Sequence, residues 1–110
     1  MNKCLILVPL KYNDGRPVTK KVITQIRREL DEVFDGHTVG GRVEGTYRMA
    51  DGSMACDTCL EIWIAIDPSR EELLRKMTAK YARMLKQESI WFEVTNSRVD
   101  FIRPDDEGGT

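Results

Sequence analysis

The 110-residue sequence contains a single histidine, three cysteines and no long apolar run. It has no Ser-His-Asp arrangement, glycine-rich phosphate loop or metalloprotease helix motif, so the best-defined sequence signatures of enzymes are missing. No stretch approaches the roughly 20 apolar residues that a membrane-spanning helix needs, and we expect no membrane partner. The odd number of cysteines and the lack of a signal-peptide pattern at the start predict reduced thiols in a bacterial-type cytoplasm.

An excess of charge of one sign is also missing. Seventeen basic and eighteen acidic residues give a net charge of −1. Nucleic-acid binding draws its affinity from an excess of Lys and Arg, so no nucleic-acid partner is expected. The composition, 41% hydrophobic and 32% charged, is typical of one globular domain. We assign residues 1–103 to this domain and residues 104–110 to an acidic flexible tail.

Hydrophobic periodicity predicts the order of helices and strands. Strands are predicted at residues 4–10, 38–50, 58–67 and 89–95, helices at 19–35 and from 69 to about 85, and a further short strand at 98–102. Thr19 is the predicted N-cap and Gly36 the C-terminal stop of the first helix, and Ser69 with Glu72 forms a capping box for the second. The order predicts an α+β ferredoxin-like βαββαβ sandwich, with both helices on one face of an antiparallel sheet and its first and third strands in the centre.

The spacing of Cys56 and Cys59 is that of a metal knuckle or a redox pair. A redox pair normally lies at a helix N-terminus, whereas this one runs into a strand. A structural zinc site needs four ligands, and only Cys4 and His37 remain to supply the others. Residues three apart in a strand also point to opposite faces. The pattern favours inert structural thiols with no metal and no cofactor, and it leaves a metal site at Cys56, Cys59 and His37 as an alternative.

The sheet face turned away from the helices, here named the open face, is the main candidate site. Alternation along the second, third and fourth strands predicts that it carries Arg42, Glu44, Thr46, Arg48, Cys59, Glu61, Trp63, Trp91 and Glu93. Two tryptophans are costly on a bare surface, so we expect a second subunit, a ligand or the terminal strand to cover them. The predicted ligand-binding residues are Trp63, Trp91, Arg42, Arg48 and Glu61.

Glu61 and Glu93 are candidates for a carboxylate pair in acid–base catalysis. The alternative is that they form cross-strand ion pairs with Arg42 or Arg48, which the pattern favours. Glu88 is a weaker catalytic candidate, because a carboxylate at the end of a helix is disfavoured by the helix dipole and suggests a specific partner. His37 is expected to be a surface or capping residue.

The residues of the two central strands argue against RNA recognition. RNA-binding modules of this fold stack bases on aromatic side chains in the central strands. Here the first strand has no aromatic residue, and the third has only Trp63, with Glu61 beside it.

The segments "FDGHTVGGRVEGTYRMADGS", "LEIWIAI", "KQESIWFE" and "VDFI" together resemble a group of small bacterial proteins. Members of this group share a G-x-T, D-G, L-E-x-W and Q-E-S pattern, and here the similarity extends over about residues 5–102. The group has no assigned activity, so the resemblance implies a fold and a bacterial origin.

Three hypotheses for the function remain open. The first is a homodimeric binding or interaction module that holds a small molecule or a protein partner against the open face. The second is a small enzyme of the dimeric α+β-barrel type, with Glu61 or Glu93 as general acid or base. The third is a metal-binding protein that uses Cys56 and Cys59. The sequence leaves open whether the protein is an enzyme.

Overall fold

The computed structural model describes residues 1–106. Its elements are β1 (Asn2–Pro9), α1 (Lys20–Phe34), β2 (Thr38–Arg48), β3 (Met54–Ile66), α2 (Glu71–Met84) and β4 (Phe92–Asn96), with short 3-10 turns at Pro68–Arg70 and Pro104–Asp106. The sheet order is β2-β3-β1-β4, and each neighbouring pair is antiparallel. The predicted ferredoxin-like fold, with the first and third strands in the centre, is confirmed.

The hydrophobic core lies between the two helices and one face of the sheet. The register pairs Cys4 with Ile64 and Ile6 with Ile62, so these side chains share that face. The buried helix residues packed against them include Ile26, Leu30, Leu74 and Tyr81, with Leu85 just after the end of α2. Each helix therefore buries one apolar stripe, as its 3-4 spacing predicts.

Of the predicted capping residues of the two helices, only Thr19 is confirmed. The Thr19 hydroxyl accepts a hydrogen bond of 3.3 Å from the Val22 N–H, which confirms Thr19 as the N-cap of α1. At the other end Asp35, not Gly36, occupies the left-handed position. The predicted capping box of α2 is wrong, because Asp67 accepts the Ser69 N–H at 2.9 Å and starts a 3-10 turn before the helix.

The strands β2 and β3 extend beyond the rest of the sheet. The last pair between β1 and β3 is Pro9 with Cys59, whereas β2 and β3 stay paired up to Arg48 and Met54. Residues 44–57, here named the arm, therefore form a two-stranded ribbon closed by the predicted turn at Asp51-Gly52. The arm contributes to an elongated molecule of 59 × 29 × 24 Å.

The predicted strand from Arg98 to Ile102 is wrong. The Ser97 N–H donates to the Met1 carbonyl at 2.9 Å, so the chain continues along β1 after β4 and does not turn back at Asn96-Ser97. Phe101 and Ile102 are 81% and 78% exposed as a result. Of the predicted tail, residues 107–110 lie outside the described residues.

Between residues 1 and 106, neither helix is long and apolar enough to cross a membrane.

Candidate functional site

The open face is built from two cross-strand rows that run from β3 over β1 to β4. Leu5 pairs with Trp63 on one side and with Glu93 on the other. Leu7 pairs with Glu61, and its N–H donates to the Trp91 carbonyl at 3.2 Å. Each row thus carries one tryptophan, one leucine and one glutamate, in opposite order. Glu61 and Trp63 of β3, Glu93 of β4 and Trp91 just before β4 come together on one face, as expected.

The two tryptophans have different surroundings. Trp63 is half-buried, and the Lys3 ammonium lies 4.6 Å from its ring centroid. Trp91 is 60% exposed, and its indole Nε1–H donates to a Glu93 carboxylate oxygen at 3.1 Å. Residues 98–102 form no strand, so the predicted terminal strand does not cover either ring. The open face therefore offers one ring that already holds a cation and one ring that is free.

The Glu61 carboxylate lies directly over Gly40. A Cβ atom added to Gly40 would overlap the Glu61 Oε2 atom, so only glycine allows this approach. Gly40 is the extra residue of a β-bulge, where the register shifts between Val39 and Gly41. Within residues 1–106 the Glu61 side chain makes no hydrogen bond or ion pair. The result is a half-buried carboxylate without a counter-ion from the described residues.

Glu61 and Glu93 do not form the carboxylate pair considered above. They lie in different rows on β3 and β4, with β1 between them. Two strand spacings and an offset of two residues put their Cα atoms roughly 12 Å apart. The Glu93 carboxylate is held by Trp91, and that of Glu61 is directed toward β2. Any acid–base chemistry at this face would use one of them alone.

Arg42 and Arg48 lie on the opposite side of the sheet from the predicted one. The bulge at Gly40 shifts the alternation of β2 by one residue, so Arg42 pairs with Leu60 and Arg48 with Met54 on the helix side. Their neighbours Glu44 and Thr46 move with them. The expected ion pairs with Glu61 and Glu93 are therefore not formed within this chain. Arg48 instead donates from Nη1 to the Gly52 carbonyl at 2.9 Å.

The cysteines do not converge. Cys56 and Cys59 both lie inside β3, three residues apart, and therefore point to opposite faces. Cys56 is exposed, whereas Cys59 is buried, and burial together with the charge of Asp57 raises the pKa of its thiol. No three His, Cys, Asp or Glu side chains of the described chain are grouped as metal ligands.

His37 follows the end of α1. Its Nδ1 lies 2.6 Å from the Asp31 carboxylate, and its Nε2 accepts the Arg27 Nε–H at 2.9 Å. His37 thus contacts side chains of α1 and does not cap the helix backbone, whose C-cap is Asp35. These contacts engage both ring nitrogens with residues of α1, away from the two thiols of β3.

Glu88 and Tyr47 are two further polar residues, and neither belongs to the two cross-strand rows. Glu88 is exposed and lines a cavity of about 410 Å³ between α2 and the β4 edge, and within residues 1–106 its side chain has no hydrogen-bond partner. Tyr47 was missed by the sequence analysis because simple alternation places it on the helix side. The bulge moves it to the face of Cys59, where the Asp57 carboxylate raises the pKa of Tyr47.

Comparison with known proteins yields a structural neighbour. No family model matches the sequence, and no curated protein is similar to it. Among solved structures, a phage SAM lyase in complex with S-methyl-5′-thioadenosine is similar, with a TM-score of 0.66 and 14% sequence identity over 86% of this chain and 79% of that chain. A likeness at this identity shows the fold alone, and the chain is thus a small α+β protein of the same fold as that lyase.

Proposed function

We propose that this protein is a homodimeric module that binds a small, flat, positively charged molecule on the open face. The observation that carries the proposal is the arrangement of two aromatic rings and two carboxylates around Leu5 and Leu7. Neither Glu61 nor Glu93 has a cationic partner within the described chain. A ligand with a positive charge would supply the counter-ion that Glu61 lacks.

The contact between Lys3 and Trp63 supports a cationic ligand. An ammonium group over an indole ring contributes about 0.5–2 kcal/mol, depending on how far it is desolvated. Lys3 already uses Trp63 in this way, at 4.6 Å from the centroid. Trp91 offers a second ring, largely exposed and next to Glu93. A flat heterocycle can lie over Leu7, between this ring and Glu61, so that its charge faces the Glu61 carboxylate.

The structural neighbour suggests the first ligands to test. That protein is a SAM lyase, and its structure contains S-methyl-5′-thioadenosine. SAM combines an adenine ring with a sulfonium cation, and S-methyl-5′-thioadenosine has the same ring without that charge. A comparison of the two ligands therefore separates stacking from charge recognition.

Calorimetric titration and tryptophan fluorescence test the proposal. We expect SAM to bind the wild type more tightly than S-methyl-5′-thioadenosine does. Glu61→Gln should weaken SAM binding about tenfold or more, since a charge-assisted contact is lost, and should leave the neutral ligand nearly unaffected. Glu32→Gln on the exposed surface of α1 is the matched control. Equal binding of SAM by Glu61→Gln and the wild type, or no binding of either ligand, would contradict the proposal.

A second candidate function is a small enzyme with Glu61 as its general base. The position of the carboxylate over the bulge at Gly40, half-buried and without a cation, favours this role over one for Glu93, which is bound by Trp91. A base must accept a proton from the ligand as the bond to the leaving group breaks. Incubation with SAM followed by chromatography of the products is the test. Turnover that survives in Glu61→Gln would exclude this role.

A further inference from the structure

We infer that the arm of one copy docks on the open face of a second copy and brings Arg48 to the carboxylate of Glu93. The inference rests on the homodimer of the proposed function, and it identifies the element that closes the open face. The arm comprises residues 44–57, and in this arrangement each copy gives one arm and receives one.

Among residues 1–106, no third strand pairs with the arm. Beyond the pair of Pro9 and Cys59 it has only two strands, and an isolated two-stranded ribbon is marginally stable in water. It nevertheless keeps a regular register as far as Arg48 and Met54. Its large apolar side chains are exposed, with Tyr47 at 49%, Met49 at 44% and Met54 at 57%. A second copy would cover the part of this apolar surface that lies on the same side as Met54.

The arm and the open face have complementary chemistry. Near the tip, Arg48 and Met54 are opposite each other and share one side, which is basic and apolar. On the open face, Trp91 and Glu93 are joined by a hydrogen bond and form an acidic and apolar patch. Arg48 keeps donors free after its single bond to Gly52, and methionine sulfur packs favourably on aromatic rings. In the docked dimer Arg48 would contact Glu93, and Met54 would contact Trp91. Each charged group and each apolar group would then have a partner.

The dimensions allow this docking. Five residues of strand, 44–48, span about 16 Å, and four neighbouring strands span about 14 Å from the first to the last. The arm is therefore long enough to cross the open face of a partner. A two-fold axis would make the two contacts identical, which gives a closed dimer.

Charge reversal in two separate chains tests the docking. We expect the wild type to have about twice the 12.6 kDa mass of one chain by size exclusion with light scattering. Arg48→Glu and Glu93→Arg should each weaken the dimer about 100-fold, because like charges would then face each other at both contacts. Mixing the two variants in equal amounts should restore the dimer, since each introduced charge then meets an opposite charge. Both positions are exposed, so each variant chain should keep its fold, which far-UV circular dichroism would show.

Arg28→Glu and Glu32→Arg make the same charge changes on the exposed surface of α1 and should leave the dimer intact. A monomeric wild type, or a mixture that stays monomeric, would overturn the docking. Failure of SAM and S-methyl-5′-thioadenosine to bind, with the mixture still restored to a dimer, would overturn only the ligand part of the proposed function. A dimer unaffected by either reversal would point to the exposed Phe101 segment as the contact between copies, and would also overturn the inference.

Discussion

At the scale of single residues, Gly40 positions the most notable carboxylate of the molecule. The missing side chain of Gly40 leaves the space into which the Glu61 carboxylate folds. The carboxylate is the far end of a flexible side chain, so it can rotate away from a new methyl group at little cost. Position 40 therefore controls where Glu61 points more than it controls the stability of the sheet.

Gly40→Ala should displace the Glu61 carboxylate and reproduce the binding loss of Glu61→Gln. We expect SAM affinity to fall about tenfold, while the free energy of unfolding changes by less than about 1 kcal/mol. Calorimetric titration and a thermal melt measure the two quantities. Gly45→Ala is the matched control, because a Cβ there meets no atom within 4 Å. A variant with unchanged affinity would show that the orientation of Glu61 does not matter for binding.

The three thiols should differ in reactivity. Cys56 is exposed, whereas burial raises the pKa of both Cys4 and Cys59. At about pH 8, a chromogenic disulfide reagent should modify one thiol quickly and two slowly, because the thiolate is the reactive form. In a Cys56→Ser background, Asp57→Asn removes a negative charge beside Cys59 and should speed its modification. Cys4 is the internal control, and equal acceleration at Cys4 would point to loosening of the whole fold.

At the scale of elements, the order of strands and helices follows from the sequence, whereas the side of the sheet that β2 presents does not. The central strands are recognisable because both parities of β1 are apolar, with Leu5 and Leu7 on the open face. In β2, glycines occupy both parities, so alternation alone does not locate the extra residue. The sequence indicates a bulge through these glycines, but its position decides on which side Arg42 and Arg48 lie.

Two of the other errors have local causes. The hydrogen bond from Ser97 to Met1 competes with the predicted turn at Asn96-Ser97, and the continued pairing along β1 prevents a fifth strand. Asp67 competes with Ser69 for the start of α2, because its carboxylate reaches the Ser69 N–H. In both cases one hydrogen bond from a backbone N–H decides, and sequence patterns describe such bonds poorly.

The N-cap of α1 gives a direct test at this scale. Thr19→Ala removes the acceptor for the Val22 N–H and should lower the free energy of unfolding by about 1 kcal/mol. Thr24→Ala, on the exposed surface inside the same helix, should be neutral or slightly stabilising, because alanine has the higher helix propensity. Chemical denaturation of both variants measures the difference. Equal effects would mean that the hydroxyl of Thr19 does not stabilise the helix.

At the scale of the whole molecule, stability should decline on both sides of neutral pH. Hydrogen bonds from Arg16, Ser53 and Ser69 lower the pKa values of Asp14, Asp51 and Asp67 below the ordinary 3.8. Their contribution is present above pH 3.8 and is lost as the pH falls through the lowered values. Thermal melts should therefore show an acid loss that begins near pH 4. Asp67→Ala removes one of these three carboxyl groups and should therefore make the acid loss of stability smaller.

The alkaline side depends on buried groups. Burial raises the pKa of Tyr81, and the charge of Glu29 raises it further, so the stability linked to Tyr81 is full below its ordinary value of 10.0 and is lost as the pH rises above it. Within the described chain its buried hydroxyl has no hydrogen-bond partner. Tyr81→Phe should therefore keep or raise the melting temperature at pH 7 and reduce the loss above pH 10. A lower melting temperature at pH 7 would show that the hydroxyl is stabilising.

The arm also affects how the molecule moves through solvent. A compact chain of this length has a radius of gyration of about 13 Å, whereas this one reaches 16.5 Å. An elongated particle has more hydrodynamic drag than a sphere of equal mass and rotates more slowly about its short axes. Docking of two arms would fold these projections inward, so a dimer should sediment faster than the gain in mass alone would suggest. The frictional ratio compares the frictional coefficient of the particle with that of a sphere of equal mass. Measured by analytical ultracentrifugation, it therefore shows whether the arm projects into solvent or is docked.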